Sequence, residues 1–303
     1  MIPSGFPQLE KLLERQLAAF PAHGSFLQKR FSSAGRGELI FAEEIADKVM
    51  QIAGSNLDRI CEDYCRVSRI VLDEELHFRR TGRYRLSTFA QAEAEVYSNP
   101  DLMSCYMNGL LASQLWWSNH TEMLRFFRDD FIGRNPHGFT HLEIGPGHGL
   151  FLYFAAVSPQ CGTAEAWDIS GASLEHTRQA LAAMQLGRHV ALKKVSVFEA
   201  PREQFTSIAF SEVLEHLENP RDALKILRGL LAEGGRIFLN APVNSPAPDH
   251  LYLFETPEHV LAMIAEAGFA VESSSLAPCT GSTLKRARKL KQTISVGVIA
   301  RKA

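Results

Sequence analysis

The 303-residue sequence predicts an α/β protein with a seven-stranded, mostly parallel sheet behind a helical N-terminal region. Three observations carry that reading. Up to about residue 136 the apolar residues recur at helical spacing, and from Phe139 onward short apolar runs alternate with helical segments. The first apolar run, residues 139–144, opens directly into a turn containing Gly145, Gly147 and Gly149. The last two runs follow one another without an intervening helical pattern, which predicts a terminal antiparallel hairpin on a parallel sheet.

In the N-terminal part, Leu9, Leu12, Leu13 and Leu17 mark an amphipathic helix that ends near Pro21. Phe41, Ile45, Val49 and Ile52 mark a second, stopped by Gly54, and Ile60, Tyr64, Val67 and Val71 a third. Asn99-Pro100-Asp101 is a break before helical stretches at 102–114 and 115–131. On the last of these, Trp116, His120, Met123 and Phe127 fall on one face. Gly133-Arg-Asn-Pro136 is the punctuated boundary, so residues 1–136 are expected to form a helical lid and residues 137–303 the sheet domain.

In the second part, strands are expected at 139–144, up to Asp168, at 190–195, 207–210, 236–240, 269–274 and 294–300. Helices are expected at 172–184, from Asn219-Pro220 to Leu231, and from Thr256-Pro-Glu258 to Gly268. The dense basic run Lys285, Arg286, Arg288, Lys289 and Lys291 is expected in an exposed loop between the last two strands.

Composition excludes several classes. A net charge of −2, with 46% hydrophobic and 22% charged residues, is ordinary for a soluble domain and gives no electrostatic pull toward nucleic acid. No apolar stretch approaches the ~20 residues of a membrane span, and no signal peptide is visible. Cys61, Cys65, Cys105, Cys161 and Cys279 are an odd, scattered set, read as free thiols in a reducing cytoplasm. Cys61 and Cys65 share a helical face, but nothing nearby completes a ligand set, so no metal is expected.

The glycine turn carries the chemistry. Glycine admits positive φ and a close backbone approach to a ligand, and a strand, glycine turn and helix N-terminus together form a nucleotide-sized site. The dinucleotide spacing is absent, because the position for its third glycine is Leu150. Instead the pattern is G-x-G-x-G preceded by Glu143, and a second apolar run ends in the acid Asp168.

Leu142-Glu-Ile-Gly-Pro-Gly-His-Gly149, Asp168, Ser211-Glu-Val-Leu-Glu-His216 and Leu231-Ala-Glu-Gly-Gly235 together resemble the successive motifs of class I S-adenosylmethionine-dependent methyltransferases. The resemblance covers about residues 138–303 and implies a Rossmann-like sheet that binds S-adenosyl-L-methionine. It implies that Gly145, Gly147 and Gly149 pass under the methionine arm, that Glu143 meets its amino group or ordered water, and that Asp168 holds the ribose hydroxyls with Ile169 against adenine. The acid that most members carry for the adenine amino group is missing: Ser196, Val197 and Phe198 occupy that segment. Ser211 and Glu212 are expected beside the sulfonium end, and His216 in a structural role. Asn240-Ala-Pro-Val-Asn244 and Asp249-His-Leu-Tyr252 fall where related enzymes hold the acceptor.

Tyr97, Tyr106, Trp116 and His120 form an aromatic-rich set that could roof the site, with Tyr106 and His120 as catalytic candidates; a core role is the competing reading of His120. The expected function is methyl transfer to a small-molecule acceptor, with neither nucleic acid nor membrane as partner. The alternative is attack on the methionine Cγ, by aminocarboxypropyl transfer or closure to azetidine-2-carboxylate, releasing methylthioadenosine. A binding module without catalysis is disfavoured by the intact Gly145, Gly147, Gly149 and Asp168. The acceptor and the oligomeric state are not legible in the sequence.

Overall fold

The computed structural model describes residues 5–32 and 34–303. The N-terminal helices are α1 (Pro7–Ala19), α2 (Gly24–Phe31), α3 (Arg36–Ala53), α4 (Leu57–Thr81), α5 (Phe89–Ala92), α6 (Pro100–Trp116) and α7 (Ser118–Phe126). Apolar stripes hold them together. Ile45 and Val49 of α3, Ile60 and Tyr64 of α4, and Leu111 and Leu115 of α6 are all buried in one cluster. The α4–α6 crossing is so close that a Cβ on Gly109 would stand 2.5 Å from Val67 Cγ2.

The sheet follows: β1 (Phe139–Ile144), α8 (Leu150–Val157), β2 (Cys161–Asp168), α9 (Gly171–Ala183), β3 (Ala191–Lys194), β4 (Phe205–Ser211), α10 (Pro220–Leu230), β5 (Leu231–Val243), α11 (Pro257–Glu266), β6 (Phe269–Pro278), α12 (Leu284–Leu290) and β7 (Ile294–Lys302). The strand order is β3-β2-β1-β4-β5-β7-β6. The first five strands pair in parallel, and β7 lies antiparallel between β5 and β6. Alternation along β5 divides the core between two faces. Phe238 joins the cluster under α3, α6 and α8, while Ile237 and Leu239 join the cluster under α10 and α11. The chain therefore has the Rossmann-like seven-stranded fold with a helical N-terminal region.

Three expectations change. The basic run is not a loop. It forms α12, because Leu284, Ala287 and Leu290 recur at helical spacing, Ala287 is buried, and the Thr283 hydroxyl accepts a hydrogen bond from the Arg286 N–H. The last two strands are thus joined through a short helix. Trp116 and His120 do not share a helix, since Trp117 is extended (φ −101°, ψ 114°) and separates α6 from α7. The helix α7 belongs to the sheet's own covering layer rather than to the outer helices. A Cβ on Gly297 of β7 would lie 2.7 Å from Met123 Sδ, Asn119 donates to Ser295 Oγ at 3.0 Å, and Phe127 packs on Phe151 and Phe238.

Candidate active site

β1 delivers the glycine turn to the carboxyl edge of the sheet. Gly145, Gly147 and Gly149 have φ of +71°, +49° and +77°, a region that other residues enter at a cost. The turn is pinned by Gly145 N–H donating to Trp167 O at 2.8 Å and by Thr177 Oγ1 donating to Gly147 O at 2.8 Å. Glu143, two residues before Gly145, is 3% exposed, and its Oε2 has no hydrogen-bond donor. Burial raises its pKa well above the usual carboxylate range.

The tips of β2 and β3 form the next wall. Asp168 Oδ1 accepts from Ser170 N at 2.8 Å, and Oδ2 accepts from Ser173 Oγ at 2.7 Å. Burial raises its pKa and these donors oppose the shift. Ile169 and Phe198, beyond the ends of these adjacent strands, are each 49% exposed, an unusual exposure for large apolar side chains. Ser196 Oγ accepts from Phe198 N at 3.3 Å, while the Val197 side chain turns into the core. Ser196 thus brings a hydroxyl to the segment where the resemblance expects an acid.

Beyond β4, Glu212 has φ +53° and donates its N–H to Asn240 O at 2.9 Å. Asn240 Nδ2 bridges back to Ser211 Oγ at 3.1 Å and Glu212 Oε1 at 2.8 Å. Burial raises Glu212 to about 7. Glu215, on the following helical turn, is fully buried, and neither carboxylate oxygen receives a fixed N–H or O–H donor. Its contact with Glu212 is carboxyl to carboxyl, a hydrogen bond only while one of them is protonated. Burial and the Glu212 charge push Glu215 well above its ordinary value.

Residues of the N-terminal helices and of the loop after α4 meet the loop after β5. Tyr106 OH donates to Asp249 Oδ1 at 3.0 Å, and Tyr97 OH donates to Asp249 Oδ2 at 3.4 Å. Tyr106 and Asp249 are 4% and 3% exposed, and burial together with the Asp249 charge raises the Tyr106 pKa well above normal. Tyr84 OH accepts from Ser245 N at 3.0 Å, and Leu86, Val96, Tyr97, Leu102 and Met103 enclose Leu251. Met107, which the sequence did not single out, reaches the glycine turn: a Cβ on Gly147 would lie 3.6 Å from its Cε.

The candidates therefore divide. The structure brings Tyr97, Tyr106, Glu212, Glu215, His216, Asp249 and His250 into one connected cluster. His120 instead contacts Ser113 Oγ at 2.9 Å and the ring of Trp117, and burial lowers its pKa to about 4. It still lies close enough to His148 and His250 for its charge to oppose theirs. Trp116 leaves the candidate roof altogether: it is fully buried and donates its Nε1–H to Gln16 Oε1 at 3.1 Å, among α1 and α2.

A family model described as a methyltransferase domain matches residues 116–291, more than half of the chain. The chain belongs to the class I S-adenosylmethionine-dependent methyltransferases. Over 162 residues it is 26% identical to the ubiquinone biosynthesis O-methyltransferase of Dechloromonas aromatica (strain RCB), a match that covers 49% of this chain and 66% of that relative. Among solved structures, an O-methyltransferase family protein from Burkholderia thailandensis superposes with a TM-score of 0.56 at 15% identity, covering 100% of this chain and 99% of its own. The mitomycin 7-O-methyltransferase superposes with a TM-score of 0.55, also at 15% identity, covering 83% of this chain and 72% of that one. At such identities the superpositions show a shared fold, including the N-terminal helices in the first case. The match to the methyltransferase family starts at Trp116, the last residue of α6, and takes in α7, the helix that packs on the sheet.

Proposed function

We propose that this methyltransferase transfers the methyl group of S-adenosyl-L-methionine to a hydroxyl oxygen of a small, aromatic-compatible acceptor. The observation that carries the proposal is the set of buried Tyr106 and Asp249 with half-buried Tyr97, which links the N-terminal helices to the loop after β5, while Met107 next to Tyr106 reaches the glycine turn. An acceptor held between the N-terminal helices and the loop after β5 would be covered by protein on both sides, which suits a small molecule better than a polymer.

The residues present fit the methyl donor. The orphaned Glu143 Oε2 would meet an ammonium group, Asp168 retains lone pairs for ribose hydroxyls, and the exposed Ile169 and Phe198 would cover a planar base. Gly145, Gly147 and Gly149 would follow the methionine arm, Ser196 would accept the adenine amino proton beside the Val197 backbone, and Ser211 and Glu212 would border the reacting end. The bound donor supplies an electrophilic methyl carbon on a sulfonium. Asp249 would take the hydroxyl proton, and Tyr106, which donates to it, would hold that carboxylate in position. Most of the rate enhancement would come from alignment in a water-poor space. His120 supports the roof from its hydrogen bond to Ser113. We also propose residues 1–136 as the acceptor-covering lid, with the qualification in structure that α7 is shared with the sheet. The five unpaired cysteines fit a reducing compartment such as the cytoplasm. Among the described residues no helix is long and apolar enough to cross a membrane.

Attack on the methionine Cγ is not favoured, because the relatives named above are O-methyltransferases. The test is incubation with S-adenosyl-L-methionine and a panel of phenols, alcohols, amines and carboxylic acids. Release of S-adenosylhomocysteine only with hydroxyl acceptors, and its loss in Asp249→Asn, is expected. Equal release with amines would refute the oxygen assignment.

A further inference from the structure

The loop after β4 and the loop after β5 bring together three side chains whose free atoms are all acceptors. His250 Nδ1 lies 2.6 Å from Ser245 O, and His216 Nδ1 lies 3.1 Å from Asp249 O. A backbone carbonyl only accepts, so both Nδ1 atoms carry the proton and both Nε2 atoms are bare lone pairs. Each Nε2 faces the same carboxylate oxygen, Glu215 Oε1, at 3.9 Å. That carboxylate is fully buried and receives no fixed donor at either oxygen. The gap of 3.9 Å exceeds any hydrogen bond, so a proton on Glu215 would not satisfy the imidazoles.

A cation resolves this arrangement. Ligand atoms bound at about 2.0–2.2 Å to one ion lie roughly 3–4.4 Å from each other; both Nε2–Oε1 gaps of 3.9 Å fall in that range, and one ligand atom from each of the three residues lies within 4.8 Å of the others. Imidazoles whose other nitrogen donates to a carbonyl are the usual form of metal-ligating histidine. We propose that Glu215, His216 and His250 bind a divalent first-row transition metal ion such as Zn²⁺ or Mn²⁺, with the Glu212 carboxylate adjoining. Two nitrogen ligands select such ions over Mg²⁺ or Ca²⁺, which prefer all-oxygen sets. No sequence spacing announces this site, because His250 is 34 residues from His216. If the oxygen-methylation reading holds, the ion sits on the acceptor side and would polarise the hydroxyl beside Asp249; the binding test below does not depend on that reading.

The test is equilibrium dialysis of the chelator-stripped full chain against Zn²⁺ or Mn²⁺ alone, with bound metal counted by mass spectrometry. One equivalent per chain is expected for the natural sequence, with affinity at least about tenfold weaker in Glu215→Gln and His250→Gln. Circular dichroism establishes that each variant is folded. Co²⁺ titration of the unmutated chain provides the measurement that needs no variant: X-ray absorption should show a mixed nitrogen and oxygen shell with two imidazoles. Substoichiometric uptake by the natural sequence, unchanged affinity in both folded variants, or a Co²⁺ shell without imidazole would each overturn the proposal.

Discussion

Replacing Tyr106 with phenylalanine removes one oxygen and leaves the ring in place. Tyr106 OH donates to Asp249 Oδ1 at 3.0 Å in a place where both residues are almost wholly buried. The remaining donor to this carboxylate, Tyr97 OH, is longer at 3.4 Å. A hydrogen bond to a buried charged group is worth about 1.5–3 kcal/mol. If that energy is expressed in the transition state, turnover falls by roughly 10- to 150-fold. Affinity for S-adenosylhomocysteine should change little, because the proposed adenosine contacts, Asp168, Ile169 and Ser196, lie at the ends of β2 and β3 and not at Asp249. If the bond only stabilises the fold, the same energy lowers Tm by about 2–5 °C, using an unfolding entropy of about 2.1 cal/mol/K per residue, and the folded fraction keeps its turnover number. Stopped-time turnover, calorimetric titration and thermal unfolding on one preparation separate the cases. A lower Tm with an unchanged turnover number would refute the assignment of Tyr106 to the site.

Asp168→Ala should weaken S-adenosylhomocysteine binding by about 1.5–3 kcal/mol, read by calorimetry; unchanged affinity would move the ribose site elsewhere. Gly109→Ala should destabilise by about 1–3 kcal/mol because its Cβ would stand 2.5 Å from Val67 Cγ2. Adding Val67→Ala should recover part of that loss in denaturant titrations; no recovery would place the strain elsewhere. His141 is fully buried with its pKa lowered to about 3 by burial. Its folded-state pKa is depressed, so its contribution is present above the unfolded value of about 6.5 and is lost as pH falls toward 3. Between pH 7.5 and 5 this costs about 2 kcal/mol, and His141→Gln should flatten the acid limb of stability by that amount. An equally steep limb in the variant would assign the protons to other groups.

Much of the fold is legible in the sequence because the sheet's apolar runs are short, strongly apolar and bounded by glycine or proline. The expected first strand and the observed β1 have the same limits, and the glycine turn follows directly. What escaped has physical reasons. In α12 the apolar signal rests on Leu284, Ala287 and Leu290, hidden within a run of cations. The separation of α6 from α7 depends on one extended residue, Trp117, which helical periodicity cannot reveal. That single break sends Trp116 into the N-terminal helices and leaves His120 on α7 against Ser113 and Trp117.

The site shows the same division. Glu143 and Gly145 are readable because the β1–turn–α8 unit fixes them locally, and Asp168 because it ends β2 just before α9. Asp249 was legible only as part of a loop following the fifth strand, and its meeting with Tyr97 and Tyr106 is tertiary. Met107 gave no signal, because a methionine on a helix looks like ordinary core until the neighbouring glycine turn is in view. Glu215 and His250 likewise acquire meaning only when the loops after β4 and β5 converge.

The nucleoside left after turnover tests the central claim most directly, since it records which carbon of the methionine arm was attacked. Chromatography with mass spectrometry on a reaction containing S-adenosyl-L-methionine and a hydroxyl acceptor should show S-adenosylhomocysteine, formed in equal amount to the methylated acceptor. Accumulation of methylthioadenosine without a methylated product would contradict methyl transfer and place the chemistry at Cγ.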